Sequence, residues 1–249
     1  MSNYPIIRTI LSWALTPFYL AIFATILITF DILQRLAWLF GYNAHVAVYN
    51  CMNFLLVNNF RLMGTRIAIR GIPKLDRTRP VIVVSNHQSM YDIPLLIWAF
   101  RRNHPKFISK IELSKWLPGI SFPLRTLGSV LIDRKNPAQA IPAIKEFGEF
   151  IAQRKFTACI FPEGTRARTG VMRPFKSSGF KALLECMPNA LIIPVAIQGS
   201  WELVRYKLLP VPFGVSLALT AFPPIDGNAG TAEEICARCE QQISGALAY

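Results

Sequence analysis

"VIVVSNHQSMYDIPLLIWAF", residues 81–100, is the stretch on which the reading of the fold turns. It opens with a continuous apolar run closed by Ser85, the look of a strand buried on both faces. Ser89 and Asp92 then fit a Ser/Thr-x-x-Asp/Glu helix start, with "IPLLIWAF" following as the apolar stretch. His87 and Asp92 stand five residues apart. Inside one helix, steps of ~100° would set them about 140° apart, on different faces. They meet only if His87 stays in a loop and Asp92 reaches back from the first helical turn. The segment therefore predicts a strand, an "NHQ" loop and a helix from near Met90. In open α/β sheets, ligands bind at that carboxyl end of the strands.

The same alternation continues outward from about residue 61. Strands are expected at "RIAIRG" (66–71), "KFIS" (106–109), "GSVLID" (128–133), "TACIF" (157–161), "LIIPVAI" (191–197) and "VSLALTAF" (215–222). Between them fall helices. One opens at Asn136-Pro137, with asparagine as cap and proline at the first position. Another covers 178–187, and a last one starts at the capping-box spacing of Thr231 and Glu234. Strands alternating with helices predict an α/β fold, a layered sheet with helices on its faces.

Residues 1–60 have a different texture. No charge occurs from Thr9 to Phe30, 22 residues, enough to cover a hydrocarbon core of ~30 Å. A second uncharged stretch, Leu36 to Phe60, carries His45 and five asparagines, which suits an interfacial or packed helix. The expectation is an N-terminal membrane-attaching helical segment, 1–60, followed by an α/β unit, 61–249. Whether residues 9–30 cross the bilayer or dip into it stays open at this stage.

Composition points the same way. Hydrophobic residues make up 52% of the 249-residue chain and charged ones 16%, yet the formal net charge is +13. An apolar, basic chain seeks an anionic partner: a phospholipid surface, a phosphorylated substrate or nucleic acid. After the apolar segment come Arg61, Arg66, Arg70, Lys74, Arg77 and Arg79 against Asp76 alone. That bias places the bulk of the chain on the cytoplasmic side of an inner (cytoplasmic) membrane, against anionic lipid. Five cysteines at irregular spacing form no disulfide framework, and "CARC" at 236–239 lacks a second ligand pair, so no metal site is expected.

Two loops at strand ends offer guanidinium groups. "FPEGTR" (161–166) leaves its strand through a Pro-Glu-Gly turn and presents Thr165 and Arg166. "GSVLIDR" (128–134) ends on Arg134. Arginine's planar fork of donors suits a phosphate monoester.

Taken together, "NHQSMYD", "GSVLIDR", "FPEGTR" and "IIPVAI" resemble, in order, the blocks of the PlsC-type glycerolipid acyltransferases, the lysophosphatidic acid acyltransferase family. The resemblance covers roughly residues 65–225. It implies a glycerolphosphate acyltransferase-like αβ fold and transfer of an acyl group from acyl-CoA or acyl carrier protein to the free hydroxyl of lysophosphatidic acid. On that resemblance His87 is the general base, and Asp92 orients its ring and stabilises the imidazolium. Arg134, Glu163, Gly164, Thr165 and Arg166 would hold the glycerol phosphate, with Glu163 bracing an arginine or accepting from a hydroxyl. No acyl-enzyme and no cofactor are implied. Another lysolipid acceptor, such as a lyso-ornithine lipid, is the alternative within the class. A serine hydrolase would need a G-x-S-x-G elbow, which "GIS", "LGSVL", "KSSGF" and "QGSWE" all lack. No nucleic-acid module appears; a non-catalytic membrane- or nucleic-acid-binding protein is the alternative outside the enzyme class.

Overall fold

The computed structural model describes residues 6–133 and 136–247. Eight strands form one sheet: β1 (Arg66–Arg70), β2 (Val81–Ser85), β3 (Pro105–Lys110), β4 (Val130–Ile132), β5 (Thr157–Ile160), β6 (Leu191–Gln198), β7 (Ser216–Ala221) and β8 (Ile225–Asp226). Their spatial order is β1-β7-β6-β2-β5-β3-β4, with β8 also paired to β6. From β6 to β4 every pair is parallel; β7 and β8 run antiparallel to β6, and β1 runs parallel to β7.

The unbroken apolar run of β2 has a plain cause. Val81 and Val83 point into one core, Ile82 and Val84 into the other. The first core is closed by α1 (Ile6–Trp38), α2 (Tyr42–Asn59) and α3 (Asp92–Phe100). The second is closed by α5 (Pro137–Arg154), α6 (Ser177–Cys186) and α7 (Ala232–Leu247). A short α4 (Ser121–Thr126) follows β3. Pro194 sits in central β6 where that strand's outer partner changes from β8 to β7, and its carbonyl accepts from Phe222 N–H.

The expected caps form at α5 and α7. Asn136 Oδ1 accepts from Gln139 N–H at 3.3 Å. Thr231 and Glu234 exchange side-chain bonds with each other's N–H at 3.2 and 2.8 Å. At α3 the start differs from the expectation: the helix begins at Asp92, not near Met90. Ser89 Oγ accepts from Tyr91 N–H, so residues 89–91 form a turn wrapped around the Asp92 carboxylate.

By length and composition α1 is able to cross a membrane, with a mean hydropathy of 1.9. One of its faces is nevertheless taken by protein along most of its length. Ser12 and Thr16 hydroxyls accept from Phe213 and Val211 N–H, each at 2.9 Å. Tyr19 stacks on Phe60, and Phe23 meets Tyr91 edge-on. Asp31 Oδ1 accepts from Gly119 N–H at 3.0 Å, and Gln34 Nε2 donates to Gly119 O at 3.2 Å. Ser12 to Gln34 spans about 33 Å at 1.5 Å per residue. The loops so contacted follow β6, β2 and β3, so α1 lies across the carboxyl edge of the sheet. Its opposite face is exposed and apolar, with Ile7, Phe18, Ile22, Ile28, Ile32 and Leu36. Gly41, at φ +93°, makes the tight reversal into α2, which packs on α1 and α3.

Lys106 on β3 is buried beside the rings of Tyr42 (5.3 Å) and Phe156 (5.5 Å). Burial pushes its ammonium down from 10.5 to about 8. The unfolded chain therefore binds the extra proton between those values, and stability contributed at this site rises with pH across that window. Lys106→Met should stabilise the protein at pH 7 by roughly 1–3 kcal/mol. The gap to the wild type should narrow as pH rises from about 8 to 10.5. Thermal midpoints of both proteins across that range check it; a gap that widens with pH contradicts it.

Candidate active site

The site is assembled where β2 ends. Asn86 imitates one more strand residue: its side chain donates to Ile197 O and accepts from Ile197 N–H, both at 2.8 Å. That pairing carries the chain past the sheet edge and delivers His87 there. The Asp92 carboxylate, 0% exposed, then gathers the loop. Its Oδ2 accepts from His87 Nδ1 (2.7 Å), Gln88 N–H (2.7 Å) and Ser89 N–H (2.9 Å). Its Oδ1 accepts from the Ser200 hydroxyl.

A carboxylate only accepts, so Nδ1 carries the proton and the Nε2 lone pair is left as the basic position. Nε2 has no hydrogen-bond partner among the described residues. His87 is 8% exposed, and the Phe161 ring stacks on it at 4.1 Å and 16°. The imidazole is thus held in plane by Phe161 and in tautomer by Asp92. Its free nitrogen is suited to taking a proton from a bound hydroxyl.

"FPEGTR" is fastened to the same histidine. Gly164 N–H bonds to Phe161 O at 3.0 Å, closing the turn, and Gly164 takes φ +70°. A Cβ there would meet nothing within 4 Å, so the demand for glycine comes from the backbone and not from space. Glu163, 3% exposed, accepts from His87 N–H (2.6 Å) and from Arg173 N–H (2.9 Å). Burial raises its pKa while these two N–H groups oppose that rise. Ala167 N–H closes the ring of contacts by donating to His87 O at 2.7 Å. Glu163 was expected at the phosphate, bracing an arginine or accepting from a hydroxyl. Each of its oxygens accepts a backbone N–H group, which joins two loops.

Thr165 and Arg166 project into solvent beside this junction, followed by exposed Arg168, Arg173 and Lys176. Arg134 lies outside the described residues. The strand before it, β4, ends at Ile132 opposite Lys110 on the same parallel group of strands. Ser200 was missed by sequence reasoning, which considered "QGSWE" only as a failed nucleophile elbow. Its signal is tertiary: residue 200 follows β6, the neighbour of β2, and no spacing along the chain reveals that. Among the described residues no group of three or more His, Cys, Asp or Glu is placed to hold a metal ion.

Comparison with known proteins accords with this geometry. The chain is 31% identical over 177 residues to a 1-acyl-sn-glycerol-3-phosphate acyltransferase of Cocos nucifera, covering 70% of this chain and 54% of that protein. It is 27% identical over 184 residues to the alpha form from Mus musculus, covering 74% and 63%. The chain thus spans between about half and just under two thirds of these curated relatives. The crystal structure of the 1-acyl-sn-glycerophosphate (LPA) acyltransferase PlsC from Thermotoga maritima shares the fold, with a TM-score of 0.75, 23% identity and 96% of each chain covered. The Acyltransferase family profile matches residues 66–198, a run of more than half the chain that holds both His87 with Asp92 and the loop clamped onto them, and the protein belongs to that family.

Proposed function

We propose that the protein transfers a fatty acyl group from an acyl thioester to the free hydroxyl of lysophosphatidic acid, giving phosphatidic acid. The observation that carries this reading is the buried His87–Asp92 pair, with Nε2 unengaged at the edge of the sheet that α1 crosses. The names of the relatives support the acceptor.

In the proposed reaction the acceptor hydroxyl gives its proton to His87 Nε2 as its oxygen attacks the thioester carbonyl. Asp92 stabilises the imidazolium that forms. The C–S bond breaks, and the imidazolium returns the proton to the departing sulfur, whose thiol has a pKa near ~8.5. No serine, threonine or cysteine is hydrogen-bonded to Nε2 among the described residues, which favours direct attack over an acyl-enzyme. Thr165 and Arg166, with Arg134, bind the acceptor's phosphate. Gly164 gives the loop its turn, and Glu163 holds that loop against His87. The donor is an acyl thioester of CoA or of acyl carrier protein, and no cofactor takes part. Ser200 is a positioning residue: it engages the carboxylate oxygen that His87 leaves free.

The same reading gives the membrane a definite side. A helix bonded to the catalytic unit from Ser12 to Gln34 keeps that face out of lipid. The opposite apolar face is free to lie in one leaflet, parallel to its plane. The catalytic edge then rests on the cytoplasmic surface of the inner membrane, where a lysolipid reaches His87 without leaving the bilayer.

His87→Ala should lower kcat by ~10²–10⁴-fold with little change in lysolipid affinity. Asp92→Asn should cost less, since the base remains but loses its carboxylate partner. Turnover of purified protein with a labelled thioester and a panel of lysolipids measures this, and near-normal turnover in His87→Ala sinks the mechanism.

Arg166→Lys keeps the charge and loses the fork. Acceptor KM should rise more than kcat falls, with donor KM unchanged. A shift confined to donor KM would reverse the assignment of the two substrates.

Ser200→Ala removes one of the donors on Asp92 and should cost about tenfold in kcat. Ser200→Thr should restore most of it, while neither change moves the thermal midpoint enough to account for the loss. Equal activity in the alanine variant and the wild type would remove Ser200 from the site.

A further inference from the structure

A groove of about 550 Å³ opens between the carboxyl-terminal part of α1 and the segment after β3, and none of its lining residues belongs to the His87 site. Arg35, Lys115 and Arg125 bring three positive charges to it; Asp31 brings the single negative one. Both oxygens of Asp31 are occupied. Oδ2 accepts from Arg35 Nε at 2.9 Å and Oδ1 from Gly119 N–H at 3.0 Å. Burial works against its ionisation, but Arg35, Gly119 N–H and the charge of Arg125 outweigh it and hold the carboxyl below its usual range. The groove therefore keeps a net charge of about two positive units at neutral pH.

Two of the cations are pre-oriented. Arg35 lies over the Phe122 ring at 4.8 Å, and Arg125 donates to Ser114 O. Ser121 ties the intervening loop by accepting from Leu117 N–H (3.0 Å) and donating to Leu113 O (2.9 Å). That fixed loop turns Trp116 outward, 94% exposed, in the left-handed region at φ +63°. Bulky residues avoid this conformation, so the exposed indole is held at some conformational cost. Around it Ile111, Leu113 and Leu117 are exposed, and Ile28, Ile32 and Leu36 line the free face of α1.

A basic groove with an apolar rim and a projecting indole matches the chemistry of a membrane interface, where tryptophan sits at headgroup level and arginine and lysine meet phosphate. We propose that this groove binds the headgroup phosphate of an anionic phospholipid in the bilayer, with Trp116 seated among the headgroups and the lipid's acyl chains running along the exposed face of α1. An acidic protein surface would satisfy the charges but would leave the indole and its leucine rim without apolar cover. The inference rests on the in-plane seating of α1 and adds to it a specific lipid-phosphate contact separate from the acceptor site.

The test is flotation of the full chain with vesicles of phosphatidylcholine alone or with a minority of phosphatidylglycerol. The wild type should bind both, and roughly 30-fold more tightly when the anionic lipid is present, at the usual worth of two basic groups at a surface. Lys115→Ala with Arg125→Ala should remove most of that gain and leave binding to phosphatidylcholine unchanged. Lys115→Glu alone, at an exposed side chain, should act in the same direction. Arg66→Ala with Arg70→Ala, an equal change of charge on exposed β1 positions, should keep most of the gain. The Trp116→Phe variant should lose the part of the emission blue shift that anionic vesicles induce in the wild type. The proposal is overturned if the groove variants keep the full gain, or if the β1 pair loses as much as they do. A wild type that ignores phosphatidylcholine vesicles would instead remove the in-plane seating of α1, and with it the support for this site.

Discussion

One buried carboxylate organises the centre of the molecule. Asp92 has no exposed surface, and a bare charge there would be costly; the imidazole N–H, two loop N–H groups and a serine hydroxyl together compensate it. Meeting that demand shapes the loop. The backbone from His87 to Ser89 must curl around the first turn of α3, and β6 must lie beside β2 so that Ser200 reaches the remaining oxygen. The same contacts that neutralise the carboxylate select the histidine tautomer. Stability and chemistry here draw on one set of hydrogen bonds.

Glu163 extends this logic to the second loop. A carboxylate that accepts from His87 N–H and from Arg173 N–H couples the "FPEGTR" turn to the histidine without touching its ring. Thr165 and Arg166, both exposed, follow directly on this clamped stretch. The exposed arginines are free to meet a ligand because the buried glutamate carries the structural duty of the loop.

The sheet's carboxyl edge has a second occupant in α1. Ser12, Thr16, Phe23 and Gln34 meet loops that follow three different strands, β6, β2 and β3, so the helix ties together the edge it crosses. The face that remains is apolar and exposed. Charge is arranged to suit, with cations gathered in the groove beside Trp116 and in the loop beyond Glu163. The apolar helix face and the His87–Asp92 pair thus belong to one edge of the sheet.

The alternation of apolar strands and helices from residue 66 onward is a property of local sequence, and so are the caps at Asn136 and Thr231, the turn at Gly164 and the approach of Asp92 to His87. Each depends on residues within a few positions of one another, where chain geometry leaves few choices. The antiparallel placement of β7 and β8 depends on pairing with β6 some 20 to 35 residues away, and the clamp from Glu163 to His87 and the bond from Ser200 to Asp92 join residues 76 and 108 positions apart. No periodicity encodes such pairings. The length and apolarity of residues 9–30 likewise mark a helix that seeks lipid, but crossing and lying flat share that signature. What that signature lacks, the tertiary structure adds: through Ser12, Thr16, Asp31 and Gln34 one face of the helix is hydrogen-bonded to its own domain.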